Sequence, residues 1–222
     1  MDCIGHGKNL RYIPAHEISQ RLGPEISWGL LLFHAISGCD TVSAFGGVGK
    51  KTAFNTWKSM PEVHAVFKHL STAPQEVSDE DKAVIEDLVC HMYSRTTQLK
   101  SVNNARKHMF SYGNRSIDKI PPTQSALEQH ILRAVYQSGH IWGQMLCPRP
   151  TLPSPTEWGW SNSTGTYRPV WSTLPEASIG CQELIKCNCK TVCRGRCKCK
   201  KASLPCTYLC FCSGQCELDI DD

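Results

Sequence analysis

The sequence predicts a mainly α protein: a helical body with a helix–hairpin–helix, an extended Trp/Pro-rich join, and a small irregular Cys-rich domain. Three observations predict it. Apolar stripes at helical spacing run through the first 146 residues. Six prolines and three tryptophans crowd residues 147–175. Ten of the fourteen cysteines fall between Cys181 and Cys216. The boundaries expected are residues 1–72 for the region carrying the hairpin and 73–146 for a further helical region. The join follows at 147–180, the Cys-rich domain at 181–217 and an acidic tail at 218–222.

Residues 1–10 have no periodicity, and Gly5-His6-Gly7-Lys8-Asn9 reads as a loop, after which Tyr12-Ile13-Pro14 fits a short edge strand. A helix is expected from Pro14 to Leu22, stopped by Gly23-Pro24. A second, over residues 27–37, is apolar nearly all round and should be buried, with His34 as a core histidine. Residues 61–70 form a short amphipathic helix. Ser78 caps a stronger one, with Asp79, Glu80 and Asp81 in its first turn and Val84, Ile85, Leu88, Val89 and Met92 as its stripe. Cys90 and His91 read as packing residues. Residues 102–110 give another helix, with Arg106, Lys107 and His108 on a solvated face. Pro121-Pro122-Thr123 announces a helix to about Met145, weakened by Gly139 and Gly143. In the join, proline content asks for an extended chain, and Trp158, Trp160 and Trp171 should pin it onto the helical body.

Between the second helix and the region at 61–70 lies Gly38-Cys39-Asp40, then Gly46-Gly47-Val48-Gly49-Lys50-Lys51. Gly47-Val48-Gly49 followed by Ala53 fits the helix–hairpin–helix spacing. Glycines permit a tight turn and close approach of the backbone to a ligand. The next helix offers unpaired N–H groups and a positive dipole end beside Lys50 and Lys51, which suits a nucleic-acid phosphate. The competing reading is an ordinary glycine turn between helices. A P-loop is excluded by Ala44 and Lys51 at positions that need Gly and Ser or Thr. Residues 10–60 resemble the helix–hairpin–helix end of the flap endonuclease (PIN-like) family. That resemblance implies Asp40 as a carboxylate for catalytic Mg²⁺ and Gly47, Gly49, Lys50 and Lys51 as a phosphate grip. Family members draw most acidic ligands from far upstream, whereas here only Asp2, Glu17 and Glu25 precede Asp40. One carboxylate does not make a two-metal site. A nuclease using Asp40 and Mg²⁺ is therefore the alternative, and a non-enzymatic binding module the expectation.

Nine cysteines form one pattern: Cys187, Cys189, Cys193, Cys197, Cys199, Cys206, Cys210, Cys212 and Cys216. Thiolates at this density suit a soft tetrahedral ion, Zn²⁺ by default. Nine sulfurs complete three four-coordinate sites when three of them bridge, so three zinc ions per chain are expected. A secreted disulfide module fits poorly, since no signal peptide is visible at the start and C-x-C pairs make poor disulfide frameworks. A metal buffer fits poorly too, because Tyr208, Leu209 and Phe211 would have no use in one. This stretch resembles the tesmin/TSO1-like CXC domain, a DNA-binding zinc module. Its first two gaps are one residue shorter than in the tesmin branch. Arg196 stands where that branch places a minor-groove tyrosine, as in the male-specific-lethal dosage-compensation proteins. The resemblance implies DNA contacts from Arg196 and its neighbours Lys190, Arg194, Lys198 and Lys200. Pre-SET modules of histone methyltransferases share the cluster. The Trp/Pro stretch before it resembles the join in a group of uncharacterised animal proteins of suspected transposon origin.

Charge is distributed to match. Residues 181–216 carry seven basic side chains against Glu183 alone, whereas residues 1–180 carry 17 basic and 15 acidic ones. A basic surface on the cysteine module points to a nucleic-acid partner, tempered by the acidic tail. Reduced, metal-bound cysteines imply cytosol or nucleus. No run of eighteen apolar residues exists, so no membrane span is expected. The function expected is zinc-dependent DNA binding in the nucleus, with chromatin proteins as candidate partners. A scaffold with a purely structural zinc cluster is the second alternative. The sequence leaves the oligomeric state open.

Overall fold

The computed structural model describes residues 2–4, 11–112, 119–172, 187–189, 197, 199 and 210–212. The chain is mainly helical and divides into two compact units, residues 1–173 and 174–222. The first unit opens with an antiparallel pair, β1 (Asp2–Ile4) and β2 (Arg11–Ile13), in register Asp2 with Ile13. Among the described residues six α-helices follow: α1 (Ala15–Ile36), α2 (Lys50–Lys58), α3 (Pro61–Leu70), α4 (Asp79–Tyr93), α5 (Val102–Tyr112) and α6 (Gln124–Val135). A seven-residue π-helix, Tyr136–Trp142, extends α6. A second antiparallel pair, β3 (Trp160–Ser163) and β4 (Thr166–Pro169), closes the unit.

The punctuation read from the sequence operates as expected. α1 breaks at Gly23 (φ 77°) ahead of Pro24, so its two halves correspond to the two helices predicted. Ser78 Oγ accepts the Asp81 N–H at 3.0 Å, and Thr123 Oγ1 accepts the Ala126 N–H at 3.3 Å. Each satisfies one donor that a helix start leaves unpaired. At α5 the cap comes from a distance: the Val102 N–H donates to Glu86 Oε1 of α4 at 2.7 Å.

The core is aromatic at its centre. Trp57 of α2 is fully buried and stacks on Phe33 (5.1 Å between centroids) and Phe67 (5.3 Å). Leu32, Ile36, Val63, Leu70, Ile85 and Leu88 surround it. Burial of each such side chain stabilises the fold by about 1.5–3 kcal/mol. Gly29 makes room for the indole, since a Cβ there would lie 2.8 Å from Trp57 Cζ2.

Three expectations change in the structure. The helix predicted from Thr123 to Met145 is α-helical only to Val135 and then widens, with the Gly143 N–H donating to Ser138 O at 2.7 Å. Gly139 is the physical reason: a Cβ there would lie 2.7 Å from Leu70 O, so only glycine lets this backbone lie against the end of α3. His34 is exposed, its ring against Trp142 at 5.5 Å, instead of buried in the core. Arg106 is half-buried, with Nη1 donating to Pro121 O at 2.6 Å, instead of lying on a solvated face.

The described residues of the join belong to the first unit. Trp158 is buried against His140, with ring centroids 4.6 Å apart. Arg133 of α6 supplies a second clasp, donating from Nη1 to Gly159 O (3.1 Å) and Val170 O. Trp160 is half-buried and Trp171 exposed, its ring over the Arg133 guanidinium. One buried indole and one arginine thus hold the join, helped by the Tyr136 hydroxyl, which donates to Pro153 O at 3.4 Å.

Candidate metal centre and the hairpin turn

The second unit gathers cysteines. Cys187, Cys199 and Cys210 are buried, and Cys189, Cys197 and Cys212 pack on them. Two triads arise: Cys187, Cys210 and Cys212, and Cys187, Cys189 and Cys197. Within each triad every sulfur lies within 4.8 Å of the others. These cysteines can therefore hold a metal ion. The Cys187–Cys212 sulfurs are 3.7 Å apart and the Cys199–Cys210 sulfurs 3.6 Å. Both separations far exceed a disulfide bond of about 2.05 Å. They match the edge of a tetrahedron with Zn–S bonds of about 2.3 Å, which is about 3.8 Å.

Cys187 belongs to both triads. Its backbone fixes the arrangement, with the Cys187 N–H donating to Cys210 Sγ at 3.4 Å and the Phe211 N–H donating to Cys187 O at 3.0 Å. Of the residues the sequence singled out here, Cys193, Cys206, Cys216, Lys190, Arg194, Arg196, Lys198 and Lys200 lie outside the described residues.

In the first unit, residues 37–49 join α1 to α2. Gly38 (φ 106°) and Gly47 (φ 74°) take the left-handed backbone that side chains disfavour. Gly49 precedes α2 with an extended backbone and open space around its Cα, and no side chain caps the helix start. Lys51 is exposed. Lys50 turns the other way. Its ammonium donates to Gly38 O (2.6 Å), Ser37 Oγ (2.9 Å) and His34 O (3.1 Å), carbonyls and a hydroxyl at the end of α1. Partial burial lowers its pKa, opposed by Cys39. A cation on the last carbonyls of a helix is favourable, so Lys50 acts as a C-terminal cap for α1.

The sequence reading did not anticipate Lys119, which lies against Gly47: a Cβ on Gly47 would sit 3.7 Å from Lys119 Cγ. No local signal brings them together, because α3, α4 and α5 intervene. Asp40 is exposed, and among the described residues it joins no cluster of metal-ligating side chains. No helix among the described residues is long and apolar enough to cross a membrane. No family model matches the chain, and no curated protein or solved structure matches it either.

Proposed function

We propose that this protein is a zinc-dependent DNA-binding protein of the nucleus. Its cysteine module reads the minor groove, and the turn at Gly47-Val48-Gly49 works as a helix–hairpin–helix that holds phosphates. The observation that supports this best is the membership of Cys187 in two thiol triads. A sulfur common to two tetrahedra is what a nine-cysteine, three-zinc cluster requires, and such a cluster is the signature of the CXC module. The seven basic side chains of residues 181–216 give that module a surface suited to phosphates. Within it Arg196, directly before Cys197, suits a narrow A·T-rich minor groove, while Lys190, Lys198 and Lys200 anchor the flanking backbone. At the hairpin, the unpaired N–H groups at the start of α2 are joined by Lys51 and Lys119, with Lys50 committed to α1.

Native mass spectrometry and competition titrations test the proposal together. Three zinc ions per chain are expected. Arg196→Ala should weaken binding to the preferred A·T-rich duplex by about 1–3 kcal/mol and binding to unrelated duplex much less. Lys198→Ala should weaken both alike. One zinc or none removes the cluster, and equal loss on both duplexes reduces Arg196 to a phosphate contact. DNA binding that is weak and insensitive to salt would instead favour a scaffold whose cluster is only structural.

A further inference from the structure

A cavity of about 240 Å³ lies within the first unit, between the loop before Gly47, the end of α4, α5 and α6. Ser43, Tyr93, Arg106, His130, Arg133 and Trp171 are among the residues lining it, and among the described residues no acidic side chain lines it. Arg133 is 3% exposed. Three side-chain ion pairs occur among the described residues, and neither Arg133 nor Arg106 takes part in one. Arg133 uses Nη1 on two backbone carbonyls and presents its face to Trp171. Those contacts satisfy hydrogen bonds without cancelling the charge. Arg106 likewise spends Nη1 on a carbonyl, Pro121 O.

The neutral groups on the wall do not supply the missing charge. His130 Nε2 lies 2.8 Å from Ile36 O and must donate to it, which leaves Nδ1 as the acceptor for the Ser43 hydroxyl at 3.2 Å. Imidazole and serine are thus locked as an uncharged pair. Two arginine side chains line one cavity, and burial costs the Arg133 guanidinium solvation that carbonyls replace only in part. A guanidinium with donors to spare matches the paired oxygens of a carboxylate or phosphate group.

We propose that this cavity is a binding site for a small oxyanion, a phosphate or carboxylate group held between Arg106 and Arg133. The ligand supplies a counter-charge that the described residues do not. The site stands on the first unit alone and does not depend on DNA binding.

Thermal shift and calorimetric titration of the full chain test it, with sodium phosphate and sodium acetate each compared with sodium chloride at equal ionic strength. A saturable rise in Tm with phosphate, with acetate or with both is expected, since a ligand that binds the native state alone stabilises it. The two arms identify which oxyanion the cavity prefers. Arg106→Gln should weaken the dissociation constant at least tenfold, and Arg133→Gln by at least as much. Lys107→Gln, an exposed neighbour on α5, should leave it unchanged. Arg133 also clasps the join, so if Arg133→Gln does not fold, the half-buried Arg106 carries the test. No saturable shift beyond chloride with either anion overturns the proposal. So does a dissociation constant unmoved by Arg106→Gln, or one weakened equally by Lys107→Gln.

Discussion

His130 should make the helical body sensitive to acid. It is 6% exposed on α6, under the ring of Phe45 at 4.8 Å between centroids. Burial pushes its pKa down to about 4; the bond to Ile36 O opposes this, and the Arg133 charge adds to it. In the unfolded chain the same imidazole titrates near 6.5. Between these values the unfolded state binds the extra proton, so stability falls as pH falls. At pH 7 both states are neutral and the contribution is whole. The loss runs at about 1.4 kcal/mol per pH unit from 6.5 downward and reaches about 3 kcal/mol near pH 4. Urea unfolding at pH 7, 6, 5 and 4.5, followed by tryptophan fluorescence, measures it. Carboxylates and His140, whose pKa burial also lowers, contribute to the raw slope. His130→Gln isolates the term. The variant should be less stable at pH 7 by about 1–3 kcal/mol, having lost the ring and the Ser43 bond. That deficit should shrink steadily on acidification. Parallel pH profiles for the two proteins would refute the assignment of a neutral, depressed His130.

Five single substitutions test the remaining assignments. Gly139→Ala would drive a Cβ to within 2.7 Å of Leu70 O and 3.1 Å of Ala73 N, and overpacking against backbone should cost about 1–3 kcal/mol in denaturant unfolding. Lys50→Met should lower stability by about 1 kcal/mol through loss of the α1 cap and leave the salt dependence of the proposed DNA binding in place. Lys51→Ala should do the reverse, reducing the slope of log affinity against log salt by roughly one unit. Cys187→Ser should remove more than one zinc in native mass spectra, whereas Cys189→Ser, found in one triad only, should disturb one.

Local chemistry was legible in the sequence, and long-range chemistry was not. Gly23-Pro24, Ser78 and Thr123 act on residues within one helical turn, so their roles could be read from spacing. The C-x-C pattern likewise places Cys187 beside Cys189 and Cys210 beside Cys212 before any fold is known. Lys50 followed two glycines and invited a phosphate reading, but its partners lie at the end of the preceding helix. Arg133 gave no signal at all, because Gly159 and Val170 are approached only after the join folds back. The strands β3 and β4 sit in a stretch whose prolines spoke for an extended chain without saying what would pair with it. Gly139 and Gly143 read as weak points of a helix, whereas the fold uses Gly139 for close contact with α3. A glycine's cost is local and visible, and its benefit depends on a neighbour.

The two units should respond separately to a chelator, because different forces hold them. The first has a core of Trp57, Phe67 and branched aliphatic side chains and needs no ion to bury them. In the second, the buried cluster among the described residues consists of cysteines alone. Thiolates that close repel one another, so burying them in ionised form is unfavourable without a cation. A metal ion held by these cysteines would contribute its binding free energy to folding. All six tryptophans lie at or before Trp171, so tryptophan fluorescence reports the first unit. Ten of the fourteen cysteines lie from Cys181 onward, so the rate of thiol modification reports mainly the second. Excess chelator should expose those thiols to rapid modification while the tryptophan-detected thermal transition moves by no more than a degree or two. Titrating zinc back should restore protection. Thiols that stay protected after the metal is stripped would mean that the cysteine unit folds without it. A tryptophan transition that collapses together with thiol protection would mean that the helical body depends on the metal as well.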